Sequence, residues 1–241
     1  MFKKKSLGQH FLHNPYYLGL VADAADIKKG EVVVEVGAGG GALTEVLLAR
    51  GAQVVAVEKD ARLIPVLKER FKNYDISKFN VVEADATKDG PWETGLKDRP
   101  WKIVGNIPYY ITGALFKKFL TAKHQPSRLV FLVQKEVGER IARSKKESIL
   151  SLSVKAYGKP RYIKTVPRGA FAPPPKVDSA IVAVENISRK NFKNAAHEKK
   201  FFELVKKAFS GKRKMLRSTI GINSTARPED VPLVRWLEMS Q

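Results

Sequence analysis

The segment Lys102-Ile103-Val104-Gly105-Asn106-Ile107-Pro108-Tyr109-Tyr110 is an apolar run that stops abruptly in an amide, a proline and two aromatics. A buried parallel strand reads this way when it carries a polar group to the end of a sheet. Asn106 and Pro108 are equally ordinary turn formers, and the segment alone leaves both readings open. The chemistry it offers is that of an aromatic amine. The Asn106 side-chain oxygen and the carbonyl of Ile107 or Pro108 can accept the two hydrogens of such an amine, and Tyr109 can stack on its ring. Proline stiffens the loop and removes one competing N–H.

Further acids and glycines lie upstream. Gly37-Ala38-Gly39-Gly40-Gly41-Ala42 follows the β-branched run 32–36 and opens a helical pattern. Glycines let backbone N–H groups approach a ligand at a helix N-terminus, which carries partial positive charge. The loop satisfies the loose dinucleotide pattern with alanine last, and the missing Gly-Lys-Ser/Thr excludes a P-loop. Glu58 lies 21 positions after Gly37, at the end of the next apolar run, where a carboxylate grips two ribose hydroxyls. NAD and S-adenosylmethionine fit these residues equally. Asp85, just past a third apolar run at 79–83, sits where an adenine amine can donate to it, although a turn or cap aspartate would look the same. The pair Asn106 and Tyr109 separates the cofactors: methyl transfer to an amino group uses both, and hydride transfer uses neither.

The lone pair of adenine N6 is delocalised into the ring, so the amine is a poor nucleophile. Acceptors on its two hydrogens favour a more tetrahedral nitrogen and localise the lone pair. The proton can leave after attack, so proximity and alignment carry most of the rate. This accounts for a chain with no evident His/Asp or Cys/His catalytic pair.

Composition narrows the partners. The 241 residues contain 44 Lys and Arg against 24 Asp and Glu, a net charge of +20, which favours a polyanion and above all nucleic acid. No strongly amphipathic basic helix with exposed aromatics points to a membrane surface. There is no cysteine, which excludes disulfides, thiolate nucleophiles and Cys-based zinc sites. No apolar run approaches the ~20 residues of a membrane span. The start Met1-Phe2-Lys3-Lys4-Lys5-Ser6 lacks the apolar core of a secretory signal, so a cytoplasmic protein is expected. A monomer with no metal is expected as well.

These residues need a sheet to position them. Strands are predicted at 31–36, 53–58, 79–83, 101–105, 128–134, 162–166 and 179–185, with helices at 15–25, 42–50, 60–71, 112–122, 136–143 and 147–157. Alternating strands and helices imply an α/β, doubly wound sheet, whose final close pair suits a last strand inserted antiparallel. Residues 1–185 read as this domain. Residues 186–241 show no strand pattern, carry thirteen basic and five acidic residues, and read as a small helical appendage. Its basic face would be formed by Lys206, Lys207, Lys212, Arg213, Lys214 and Arg217.

Gly8-Gln9-His10-Phe11-Leu12, Val34-Glu35-Val36-Gly37-Ala38-Gly39, Gly105-Asn106-Ile107-Pro108-Tyr109, Gln134-Lys135-Glu136-Val137 and the stretch from Gly169 through Phe171 and Pro173-Pro174-Pro175 to Ser179 together resemble one family, the rRNA adenine N6-dimethyltransferases. Within it the chain is most similar to the KsgA-type enzymes of small-subunit rRNA. The resemblance implies a Rossmann-like class I methyltransferase sheet with a C-terminal helical domain. It also implies S-adenosyl-L-methionine as donor, and dimethylation of two adjacent adenosines near the rRNA 3′ end during ribosome biogenesis. Carried over by position, the donor site would be His10, Leu12, Gly37, Gly39, Glu58, Asp85 and Asn106. The target-base site would be Asn106 and Tyr109, with Phe171 on the other face of the base; read as a residue, Phe171 is also a core aromatic that pins its loop. Two departures stand out. His10 replaces the family's usual asparagine, and the segment after Arg217 is shorter than usual. Two alternatives accompany this reading: a large-subunit rRNA methyltransferase of the antibiotic-resistance branch, and a catalytically inactive RNA-binding assembly factor.

Overall fold

Val32–Val36 (β1) is buried along its whole length, and its alternate residues feed two separate cores. Val32, Val34 and Val36 join one apolar cluster and Val33 the other, as the two-residue period of a strand requires. The structure is a computed structural model and describes residues 10–88, 90, 93, 96, 99–211 and 214–241. Six more strands complete the sheet among the described residues: β2 Gln53–Glu58, β3 Phe79–Glu83, β4 Trp101–Asn106, β5 Arg128–Gln134, β6 Lys159–Val166 and β7 Ser179–Glu185. Their order is β3-β2-β1-β4-β5-β7-β6. The first five are mutually parallel, and β7 is inserted antiparallel to both β5 and β6. The expected seven-stranded α/β sheet with one strand inserted antiparallel is therefore present.

Register does the positioning. Val36 lies opposite Val57 on one side and Gly105 on the other, and Glu58 lies opposite Glu83. The glycine loop, Glu58, Asp85 and Asn106 consequently leave the sheet at one edge, its carboxyl end. Strand order reverses between β1 and β4, the switch point at which open α/β sheets bind ligands.

Helices α1 Pro15–Ala25, α2 Ala42–Ala49 and α3 Ile64–Arg70 bury Leu18, Val21, Leu43, Leu47 and Leu67 with Val33 and Val54. Asn14 caps α1 by accepting the Tyr16 N–H at 3.0 Å, with proline in the first turn where no hydrogen bond is lost. The opposite face is covered by α4 Thr112–Thr121 and α6 Ile149–Tyr157, with α5 Lys135–Ala142 between β5 and α6 in sequence. The chain beyond β7 folds as α7 Ala195–Phe209, α8 Leu216–Thr219 and α9 Leu233–Met239. Its apolar side is continuous with the sheet's: Phe192, Phe201, Val205 and Trp236 share one cluster with Leu152 and Tyr157. Tyr157 stacks on Phe202 at 5.9 Å and meets Phe192 edge-on at 5.4 Å. His197 accepts the Lys193 N–H on Nδ1 and directs Nε2 at the Leu237 carbonyl and Ser240, so it joins the start of α7 to the end of α9.

The elements depart from the expected ones in several places: the helix expected over 60–71 is a 3₁₀ turn, Ala61–Leu63, leading into α3, and the helix expected from 147 begins at Ile149. β6 begins at Lys159 rather than 162, because Pro160, a strand breaker in the middle of a sheet, is tolerated on this edge strand. Phe11–Leu12 and Phe171–Ala172 also pair as a two-stranded antiparallel ribbon, too short for any periodicity to reveal. Lys212 and Arg213 of the expected basic cluster lie outside the described residues.

Trp236 is fully buried, and its indole N–H donates to the Val231 carbonyl at 3.1 Å. Trp236→Ala is expected to lower the unfolding free energy by about 3–5 kcal/mol, measurable by urea titration.

Candidate active site

Gly105 and Gly39 are needed for their missing side chains. A Cβ at Gly105 would lie 2.8 Å from the Val36 carbonyl oxygen, so β4 can run close beside the strand that ends in the glycine loop. Gly39 has φ +58°, and a Cβ there would strike the Phe11 ring at 2.8 Å. Phe11 therefore lies directly against the glycine loop and closes one side of a cleft of about 900 Å³, its open mouth included. The cleft is lined by His10, Gly37, Gly39, Glu58, Asp85, Asn106 and Tyr109, joined by Phe11, Lys59 and Tyr110.

Leu12 and Phe171 are not brought to that lining. They face each other across the ribbon and are buried with Leu18, Val166 and Ala170. Neighbouring residues of a strand point to opposite sides, so with Phe11 turned to the cleft Leu12 is turned to the core. Phe171 packs as a core aromatic pinning its loop, and its side chain forms no wall of the cleft.

Glu58 accepts the Gly39 N–H at 2.9 Å and the Asp60 N–H at 2.8 Å, one on each oxygen. It thus shapes the glycine loop and keeps lone pairs for further donors. Asp85 accepts from the Thr87 backbone and hydroxyl on Oδ1 and from Lys59 Nζ, at 2.9 Å, on Oδ2. The Thr87 hydroxyl is the largest cause, with Lys59 adding to it against burial, of a carboxyl held down at about 2. Asp85 is ionised at neutral pH and suited to accept from an amine.

Asn106 Nδ2 donates to the His10 carbonyl at 2.7 Å. A carbonyl only accepts, so the amide is oriented with Nδ2 toward His10 and Oδ1 remains as its acceptor. His10 is held in turn: its Nδ1 donates to the Pro173 carbonyl at 2.8 Å, and its ring lies nearly parallel to Tyr109, centroids 6.4 Å apart. The Tyr109 hydroxyl meets the buried Ser179 hydroxyl at 2.7 Å. Burial, partly offset by that bond, raises the phenol's pKa, so Tyr109 stays a neutral ring.

Sequence reasoning missed Glu35. It sits in β1 with 1% exposure and accepts the Thr44 hydroxyl at 2.5 Å, joining the strand to the first turns of α2. Burial first, then the nearby Glu58 charge, lift its carboxyl to about 7 against the pull of the Thr44 bonds. The signal was visible as the one acid in a strand buried on both faces. Ser179 and Lys59 gave no signal, because their partners are 70 and 26 positions away.

Among the described residues no three His, Asp or Glu groups cluster as a metal site, and no helix is long and apolar enough to cross a membrane.

Comparison with known proteins bears on the same region. A family model described as ribosomal RNA adenine dimethylase matches residues 1–232. "Ribosomal RNA small subunit methyltransferase A" of Dehalococcoides mccartyi (strain CBDB1) is 44% identical, with 98% of this chain and 87% of that protein aligned. The chloroplastic ribosomal RNA small subunit methyltransferase of Arabidopsis thaliana is 34% identical, over 99% of this chain and 78% of that one. Among solved structures, the 23S rRNA methyltransferase ErmE superposes with a TM-score of 0.78 at 26% identity, covering 95% of this chain and 98% of that one. A dimethyladenosine transferase from Plasmodium falciparum superposes with a TM-score of 0.76 at 32% identity, over 89% and 76%.

Glu35 also sets a pH dependence. Its folded pKa lies above the unfolded 4.5, so the folded state binds the extra proton, and stability falls as pH rises from about 4.5 through 7. Relative to Glu35→Gln, the wild type should lose up to roughly 3 kcal/mol of unfolding free energy between pH 5 and pH 8. Urea titrations of both proteins across that range check the slope.

Proposed function

Because this chain belongs to the ribosomal RNA adenine dimethylase family, we propose that its cleft holds S-adenosyl-L-methionine along the carboxyl edge of the sheet and presents the target adenosine to Asn106. The protein is an rRNA adenine dimethyltransferase of the small-subunit type. In our reading it dimethylates N6 of two adjacent adenosines near the 3′ end of small-subunit rRNA, in the cytoplasm, as part of subunit biogenesis. Residues 1–185 carry the chemistry in this reading, and the basic residues 186–241 meet the RNA.

The donor set of the cleft suits the adenosyl donor. Asp85, ionised, accepts from the adenine amine; Glu58 accepts from ribose hydroxyls; the N–H groups of the glycine loop at the start of α2 take the remaining polar end, with His10 beside them. When bound, the donor supplies an electrophilic methyl group. The chain's own residues prepare the acceptor. Asn106 Oδ1 and a backbone carbonyl of Ile107 or Pro108 take the two amine hydrogens and free the N6 lone pair. Tyr109 stacks on the base and replaces what it loses on leaving the RNA stack. Leu12 and Phe171 contribute from the core, through the ribbon that fixes His10 and the loop carrying Pro173.

The observation that carries this reading is the fixed orientation of Asn106, whose amide nitrogen is committed to His10. The 23S rRNA enzyme shares the fold at lower identity, whereas the relatives at 44% and 34% are named for the small subunit, which favours that substrate. Incubation with labelled donor and undermethylated small subunits or free rRNA, followed by mapping of modified nucleotides, tests it; incorporation only into large-subunit rRNA, or none, refutes it.

Asn106→Ala is expected to lower kcat for methyl transfer at least about 100-fold, as loss of one preorganised transition-state contact does. Calorimetry should show its donor Kd within about threefold of wild type, since the amide acts on the acceptor.

A further inference from the structure

Tyr109 and Tyr110 are consecutive in the turn Tyr109–Ile111 that precedes α4, and they behave differently. Tyr109 turns inward to Ser179, whereas Tyr110 is 69% exposed while still lining the cleft. A large aromatic ring left exposed at the rim of a cleft suits a flat ligand. Two features beside it fit a nucleic-acid strand. Gly113 is three positions on, at the start of α4; a Cβ built there meets nothing within 4 Å, so the surface one turn beyond Tyr110 is open. Lys59 lines the same rim with its side chain 59% exposed, and its ammonium and the Tyr110 phenol lie close enough to influence each other electrostatically. An exposed aromatic next to an exposed cation is the pairing that single-stranded RNA uses for base and phosphate.

We propose that Tyr110 is the stacking platform for the nucleotide adjoining the target adenosine, a proposal that rests on the rRNA reading given above. One base then enters the cleft against Tyr109 while its neighbour lies on Tyr110 over the open surface at Gly113. The platform reads a base by its π-face, so it accepts any of the four.

Tyr110→Ala, Tyr110→Phe and Gly113→Leu test the proposal, with KM for undermethylated small-subunit rRNA and calorimetric donor Kd as readouts. Gly113→Leu places a side chain into space the structure leaves open, so it should fold normally while obstructing the platform. Tyr110→Ala and Gly113→Leu are each expected to raise KM for RNA about tenfold, with the double variant no worse than either alone. Tyr110→Phe should match wild type, and donor Kd should be unchanged throughout. A weakened donor Kd in Tyr110→Ala would assign the ring to the donor and overturn the proposal. So would an unchanged KM, or additive effects of the two substitutions. Absence of any methyl incorporation into rRNA by wild-type protein is a different result: it removes the rRNA reading itself, and the platform with it.

Discussion

A carbonyl oxygen has no proton to offer, and the site depends on that constraint twice. The His10 carbonyl compels Asn106 to turn its NH₂ group one way, which decides which atom of the amide remains for a substrate. The Pro173 carbonyl compels His10 Nδ1 to carry a hydrogen, which decides the tautomer available when the ring is neutral. An amide or imidazole facing water could rotate or exchange at little cost. Here each is held by a backbone atom immediately flanking the ribbon Phe11–Leu12/Phe171–Ala172, so the orientation is built into the fold. Tyr109 completes the chain of dependence through Ser179, the first residue of β7.

The electrostatics divide sharply between interior and surface. The chain has a large positive excess, yet the cleft concentrates acids: Glu58 and Asp85 line it, and Glu35 lies buried near Glu58. Burial first, and the nearby Glu58 charge after it, keep the Glu35 carboxyl protonated up to near neutrality. Asp85 remains charged because Thr87 and Lys59 support its anion. The cleft thus offers hydrogen-bond acceptors, while the chain as a whole carries an excess of cations.

Much of this was legible in the chain because parallel strands impose a common edge. Once 32–36, 53–58, 79–83 and 101–105 read as parallel strands, the residue ending each had to lie near the others, and Gly37, Glu58, Asp85 and Asn106 followed without contact information. Other features depended on pairings that no local pattern encodes. The two-residue strands of the ribbon are too short to show alternation, so which of Phe11 and Leu12 faces the cleft could not be read. Phe171 admitted two roles, wall or core, and side-chain direction within that ribbon decides between them. The state of Glu35 depends on burial and on Glu58, 23 positions away, whereas its oddity as an acid among valines was plain.

The bond between His10 and Pro173 spans 163 positions of chain. While the protein is being synthesised, the first strand of the ribbon waits without its partner until residues 171–172 exist, and β7 arrives later still, to be inserted between β5 and β6. Such distant pairings close slowly compared with local ones. Asn106 and Tyr109 are oriented by contacts from outside the five parallel strands, to His10 and Ser179. The orientation of both side chains is thus completed by pairings far apart in sequence.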